Sequence, residues 1–117
     1  MAAPNIVGVT TITGKTAVLA ATTVATAIVA NPAASGKVFK INALYVSNVD
    51  SIGSADISID LFRSSTAYRI SSAIEVIGNT TIDVISKSIY LEEGDSLRLT
   101  ASVDGDLEAV CSYEELS

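Results

Sequence analysis

TIDVISKSIYLEEGDSLRLTAS, residues 81–102, carries the strongest fold signal in this chain. Within each run, apolar residues recur at every second position, which is the spacing of a strand with one buried face and one wet face. The acidic segment Glu92 to Asp95 predicts a chain reversal, so we expect a β-hairpin here. A hairpin with one apolar face needs a second layer to cover Leu97 and Leu99.

Residues 37–49 predict one long strand with apolar side chains on both faces, which is typical of a central strand. The expected faces are Val38, Lys40, Asn42, Leu44 and Val46 on one side and Phe39, Ile41, Ala43 and Tyr45 on the other. Residues 55–63 alternate as well. Their expected inward residues are Ile57, Ile59 and Leu61, and their expected outward residues are Asp56, Ser58 and Asp60.

Strand patterns also occur at residues 6–13, 68–77 and 107–113, and Gly14-Lys15 predicts a turn. Residues 16–30 are the most apolar run. They are shorter than the roughly 20 residues that a membrane-spanning helix needs and contain four threonines. We expect strands there and no membrane partner, with a helix or a targeting segment as the alternatives.

The composition supports one all-β domain. The chain has 117 residues, of which 49% are apolar and 5% aromatic, so its core must be built from Ile, Val, Leu and Ala. We therefore predict a single-domain antiparallel β-sandwich over residues 14–117, with a jelly roll as one form of it. Residues 1–13 form an extended N-terminal arm or a first strand in this prediction.

The charged and reactive residues exclude several functions. Thirteen acidic residues against seven basic ones give a net charge of −6, which opposes binding to nucleic acid. The chain contains no His, and we expect its single cysteine, Cys111, to be buried. We therefore expect no enzymatic activity, no cofactor and no metal.

Three local patterns fit functional sites poorly. Between Gly8 and Gly14-Lys15-Thr16 lie five residues, one more than a phosphate-binding loop has. The acids at 92–95 and 104–106 adjoin glycines and are expected to be solvated turns. Four tyrosines suggest a sugar-stacking surface as an alternative to ordinary core-edge positions; they are Tyr45, Tyr68, Tyr90 and Tyr113.

Three regions carry a family resemblance: MAAPNIVGVTTITGKTA at the N-terminus, KVFKINALYVSNVD with SADISIDLFRSSTAYRI in the centre, and DVISKSIYLEEGDSLRLTAS with GDLEAVCSYEELS at the C-terminus. Together they resemble small virion structural proteins of tailed bacteriophages, particularly marine phages that infect cyanobacteria. The resemblance implies a compact β-sandwich in many copies on the particle, assembled in the cytoplasm of the bacterial host. It implies a capsid decoration or cement protein, with a neck, tail or receptor-binding or glycan-binding tail-fibre component as the alternative.

The N-terminal arm is the expected contact region. It is apolar and β-rich yet lies at a terminus, where it can pair with the sheet edge of a neighbour. The expected partners are major capsid, neck or tail proteins and further copies of the chain, with a trimer as the expected oligomer. The candidate assembly contacts are Ile6, Val7, Val9 and Ile12.

Overall fold

The structure, a computed structural model, describes residues 4–117. A 3₁₀ turn at Ile6–Gly8 precedes nine strands. In chain order the strands are β1 (Ile12–Ala20), β2 (Thr26–Ala30), β3 (Val38–Asn48), β4 (Ala55–Arg63), β5 (Thr66–Val76), β6 (Thr81–Asp83), β7 (Ile89–Leu91), β8 (Ser96–Ala101) and β9 (Leu107–Leu116).

The strands form two antiparallel sheets that pack face to face. The first sheet has the order β1-β9-β3, with the two short strands β6 and β7 both paired to the far side of β3. The second sheet has the order β2-β8-β4-β5. This order, with the first and last strands adjacent and the chain passing back and forth between the sheets, is that of a jelly roll. The predicted all-β sandwich is confirmed.

The core lies between the inner faces of the two sheets. The predicted inward residues Ile57, Ile59, Leu97 and Leu99 are all 0% exposed. Aliphatic side chains fill this space, because a chain without Trp has few aromatic side chains to bury. Residues 16–30 form most of β1 and all of β2, as predicted, and no helix that could span a bilayer occurs among residues 4–117.

The predicted hairpin across Glu92 to Asp95 is wrong. β7 pairs with β3 in the first sheet, whereas β8 lies between β2 and β4 in the second, so this segment crosses from one sheet to the other. In a hairpin both strands would present their apolar residues to the core from the same sheet. The crossing instead lets Leu91 and Leu97 cover the core from opposite sides, and both are fully buried.

The predicted faces of β3 are wrong along half of the strand. β3 is central, as predicted, but its register with β9 shifts between Ile41 and Ala43. Such a bulge places an extra residue in one strand and reverses which residues face inward. Phe39 and Ile41 are therefore buried before the bulge and Leu44 and Val46 after it.

The predicted turn at Gly14-Lys15 is also wrong. β1 runs without interruption from Ile12 and pairs in register with residues 108–116 of β9. Lys15 lies within this ladder, and its Nζ binds Oε2 of Glu115 at 3.0 Å. The ladder outweighs the local turn preference, so the sandwich begins at Ile12, two residues before the predicted boundary. Residues 1–3 of the predicted arm lie outside the described residues.

Candidate assembly surface

The edges of the two sheets are the parts of this fold best suited to contact another chain. Each sheet ends in strands whose outer N–H and C=O groups have no partner in the sheet, and such groups can pair with a further strand. The edges are formed by β1 and by the β6 and β7 pair in the first sheet, and by β2 and β5 in the second.

Three of these edges are short or irregular. β6 and β7 have three residues each, and β2 has five with a register shift between Ala27 and Val29. β5 is long, but its pairing with β4 shifts twice, and Ala73 within it has a φ of 50°. Bulges of this kind twist an edge away from a flat partner strand and thereby discourage pairing.

β1 is the long, regular edge among residues 4–117. Its nine residues pair with β9 without a register shift. Thr11 and Ser117 exchange two hydrogen bonds beyond one end of the ladder, and the Ala21 N–H donates to the Leu107 carbonyl beyond the other. Because hydrogen-bonded residues alternate in antiparallel pairs, the odd-numbered residues of β1 bond to β9. The free N–H and C=O groups belong to the even-numbered residues, which are Ile12, Gly14, Thr16, Val18 and Ala20.

A shallow apolar groove lies beside this edge, near the C-terminal end of β1. Val18 and Val110 are cross-strand partners on the outer face of the first sheet, 75% and 41% exposed. With Ala20 and Glu108 they surround a volume of about 440 Å³ whose lining is mostly apolar. Exposed valines placed side by side on a sheet suit contact with another apolar side chain better than with water.

The N-terminal segment leaves the sandwich at the opposite end of β1. Ile6 and Val7 belong to the 3₁₀ turn and are 49% and 91% exposed, and Val9, just after the turn, is half-buried. Ile12 opens β1 and is exposed. The predicted strand over residues 6–11 does not form, because the Asn5 side chain accepts a hydrogen bond from the Val7 N–H and closes a local turn.

The structure therefore separates the four predicted contact residues into two groups. Ile6, Val7 and Val9 lie in or beside the turn, whereas Ile12 lies on the free edge with Thr16 and Val18. Sequence reasoning missed Thr16 and Val18 as candidates. Their alternation within residues 16–20 indicated a strand, but which strands form edges depends on pairing along the whole chain.

The acidic segments have structural roles. Asp104 accepts a hydrogen bond from the Thr23 N–H at 2.8 Å, and Glu93 accepts one from the Gly36 N–H at 2.7 Å. Asp95 was expected to be solvated, but its side chain is 1% exposed and binds Arg63. No group of three or more metal-ligating side chains occurs within the described part of the chain.

The tyrosines do not converge on one surface. Tyr45 and Tyr90 lie on the first sheet, where Tyr90 pairs with Lys40, five residues before Tyr45 along β3. That spacing separates the two tyrosines by roughly 16 Å. Tyr68 lies on β5 of the second sheet, and Tyr113 packs against Phe39 with ring centroids 5.7 Å apart. A shared sugar-stacking platform is not assembled from these four residues.

Two further sequence candidates have ordinary structural positions. Gly14, Lys15 and Thr16 lie within a strand, so no helix N-terminus follows them to hold a phosphate. Cys111 is 0% exposed in the core, as predicted, and burial raises the pKa of its thiol to about 11. A thiol of this kind is chemically inert at neutral pH.

Comparisons with known proteins identify the fold alone. No family model matches the chain, and no curated protein matches it in sequence. Among solved structures, the chain is similar to a protein of Bacillus endospore appendages, described as a family of disulfide-linked pili. The TM-score is 0.55 with 14% sequence identity, over 92% of this chain and 88% of that chain.

Proposed function

We propose that this protein is a non-enzymatic structural component of a bacteriophage particle, a capsid decoration or cement protein that assembles through protein–protein contacts. The observation that carries the proposal is the free β1 edge, nine residues long and regularly paired, with an exposed apolar arm at its start. Proteins that remain monomeric usually shorten, bend or charge such an edge.

The edge lacks those protections. β1 contains one charged residue, Lys15, and that side chain is held by Glu115. It contains no proline and no bulge. The other long edge, β5, has two register shifts, so this fold protects one edge and leaves the other open. An open edge that is retained beside a protected one fits an interface covered in the assembled particle.

The similarity to a pilus protein supports a structural role but not the same linkage. Its printed description concerns disulfide-linked pili. In this chain the single cysteine, Cys111, is buried in the core. We propose that contacts between copies, and between this protein and a major capsid, neck or tail protein, are non-covalent.

The acidic surface fits this role. A net charge of −6 keeps a domain soluble at high local concentration before assembly and disfavours association with packaged nucleic acid. Basic side chains on the partner would then complement it. Salt would be expected to weaken such contacts where the charges are exposed.

The direct test is to locate the protein in purified particles. Mass spectrometry of gradient-purified phage should detect the chain in many copies, and a low-resolution density map should place it on the head. Density on the neck or tail would favour the alternative assignment. Absence of the chain from purified particles would reject a virion role.

A second test addresses the arm. A variant lacking residues 1–9 retains all of β1, so the sandwich should fold. We expect it to associate more weakly with particles, because the exposed Ile6 and Val7 are removed. The matched control replaces Ile77, an exposed isoleucine between β5 and β6, with Ser. Undiminished association of the truncated variant would reject the arm as a contact.

A further inference from the structure

We infer that the occupant of the β1 edge is the β1 strand of a second copy, paired antiparallel about a twofold axis at Thr16. The inference rests on the assembly role proposed above for this edge, but not on its setting in a phage particle. It follows from the four sheet edges, the free groups of β1, and the positions of the arm and the groove.

The absence of another suitable edge favours self-pairing. A head-to-tail contact would require β1 to pair with a different edge of the next copy. Within residues 4–117 those edges are short or bulged: β2 and β5 have register shifts, and β6 and β7 have three residues each. β1 alone offers a complementary partner to β1, and a strand that pairs antiparallel with itself closes into a dimer with twofold symmetry.

The register between the two β1 strands follows from the unpaired backbone N–H and C=O groups and from the position of Lys15. Even-numbered residues must face even-numbered residues, since they carry the unpaired N–H and C=O groups. With the axis at Thr16, Ile12 faces Ala20 of the second copy and Gly14 faces Val18, so the strands overlap along their full length. This register makes about ten hydrogen bonds between the copies.

Neighbouring registers are less favourable. Moving the axis to Lys15 places the two Lys15 side chains directly opposite each other, and like charges in that position destabilise a sheet. Moving it to Ala17 leaves Ile12 without a partner. The axis at Thr16 places Lys15 opposite Ala17 and forms a Thr–Thr pair, which is a favourable cross-strand combination.

This register also brings the arm of each copy to the groove of the other. Because Ile12 lies opposite Ala20, the arm emerges at the end of the second copy where Val18 and Val110 are exposed. The groove between β1 and β9 of the second copy lies roughly 7 Å, or about one and a half strand spacings, from β1 of the first copy. Val7, which is 91% exposed, is thereby placed to enter the groove in a reciprocal exchange. The dimer has twofold symmetry, in contrast to the trimer expected from the sequence.

Cysteine cross-linking of the full chain tests the axis. Thr16→Cys should form a disulfide-linked dimer under mild oxidation, because directly opposite residues have Cα atoms about 5.5 Å apart, within disulfide range. The matched control is Thr66→Cys, an exposed threonine on the β5 edge, which should remain monomeric on a non-reducing gel. Buried Cys111 does not interfere. Equal cross-linking of both variants, or none of Thr16→Cys, would overturn the inference.

Sedimentation equilibrium tests the hydrogen bonds. Thr16→Pro removes an N–H that is free in the monomer, and edge strands tolerate proline, so the fold should persist by circular dichroism. The dimer contains two copies of the change, so its dissociation constant should be about 30-fold higher than that of the unaltered chain. Thr16→Val keeps the N–H and removes only the hydroxyl, so it should weaken the dimer much less than Thr16→Pro. A monomeric unaltered chain at all concentrations, or a dimer unaffected by proline, would contradict the pairing.

The arm is tested separately. Val7→Ser should weaken the dimer several-fold, whereas Ile77→Ser, which alters an exposed isoleucine remote from β1, should not. If the two variants behave alike, the arm does not occupy the groove.

A protein that dimerises through β1 but is absent from purified particles would reject the virion role alone. A virion protein that is monomeric would reject this inference alone.

Discussion

Arg63 and Asp95 form a two-point ion pair, in which Nε donates to Oδ1 at 2.7 Å and Nη2 donates to Oδ2 at 2.6 Å. The Asp95 side chain is 1% exposed, whereas that of Arg63 is 42% exposed. Asp95 also accepts a hydrogen bond from the Glu92 N–H at 2.8 Å. The pair therefore connects the end of β4 to the segment that crosses between the sheets.

Removal of the guanidinium should destabilise the fold, because it leaves a buried carboxylate with one remaining hydrogen bond. We expect Arg63→Met to lower the free energy of unfolding by about 2 kcal/mol, less than for a fully buried pair because Arg63 is partly exposed. Urea denaturation measures this. Arg69→Met, which alters an exposed arginine on β5, is the control and should change stability by less than about 0.5 kcal/mol. Equal effects of the two changes would contradict the role of the pair.

The Arg63–Asp95 pair also predicts that the free energy of unfolding depends on pH. Burial raises the pKa of the Asp95 carboxyl, but the hydrogen bonds from Arg63 and the Glu92 N–H outweigh burial, so its pKa lies below the ordinary value. The ionised Asp95 carboxylate therefore stabilises the folded state fully above its unfolded-state pKa of about 4. This stabilisation is lost as the pH falls through the lower folded-state pKa.

In Arg63→Met that contribution is missing at every pH. The stability difference between the unaltered chain and this variant should narrow as the pH is lowered from about 7 to about 3. Urea titrations at several pH values measure the difference. A stability difference that stays constant across this pH range would show that Asp95 does not titrate with a lowered pKa.

Cys111 should be unreactive in the folded protein. The thiolate is the reactive form, and burial raises the pKa of this thiol to about 11. We expect Ellman's reagent to label Cys111 in urea but not in the native state, and we expect no disulfide-linked dimer of the unaltered chain on a non-reducing gel. Thr66→Cys supplies an exposed thiol as the positive control. Rapid native labelling of Cys111 would indicate that the core opens readily.

Gly78 is predicted to be intolerant of any side chain. A Cβ atom at this position would lie 2.6 Å from the Asp50 carbonyl oxygen and 2.8 Å from that of Gly53. Both are backbone atoms, so the loop that contains Gly78 would have to move away from the loop that contains Asp50 and Gly53. We expect Gly78→Ala to cost about 1–3 kcal/mol of unfolding free energy.

Gly14 provides the matched control for this substitution. A Cβ there would meet nothing within 4 Å, so Gly14→Ala should leave the melting temperature nearly unchanged or raise it slightly. Thermal denaturation of both variants decides the matter. Similar melting temperatures for the two would show that the loops at Gly78 adapt without strain.

The period-2 alternation of the sequence determined the strands and much of the core. Residues 55–63 form the predicted strand, with Ile57 and Ile59 inward as predicted and Leu61 partly buried. Asp60, which was predicted to face outward, is buried. The burial of Leu97, Leu99 and Cys111 was likewise predicted. These properties are local, because a side chain's direction in a strand depends on the backbone of its immediate neighbours.

Tertiary structure decided which strands pair and where the pattern is interrupted. The crossing at Glu92 to Asp95, the bulge after Ile41 and the continuation of β1 through Gly14 all depend on partners distant in sequence. The free edge at Thr16 and Val18 could not be predicted for the same reason. An edge is defined by the lack of a neighbouring strand, and this is known only when every other strand has been placed.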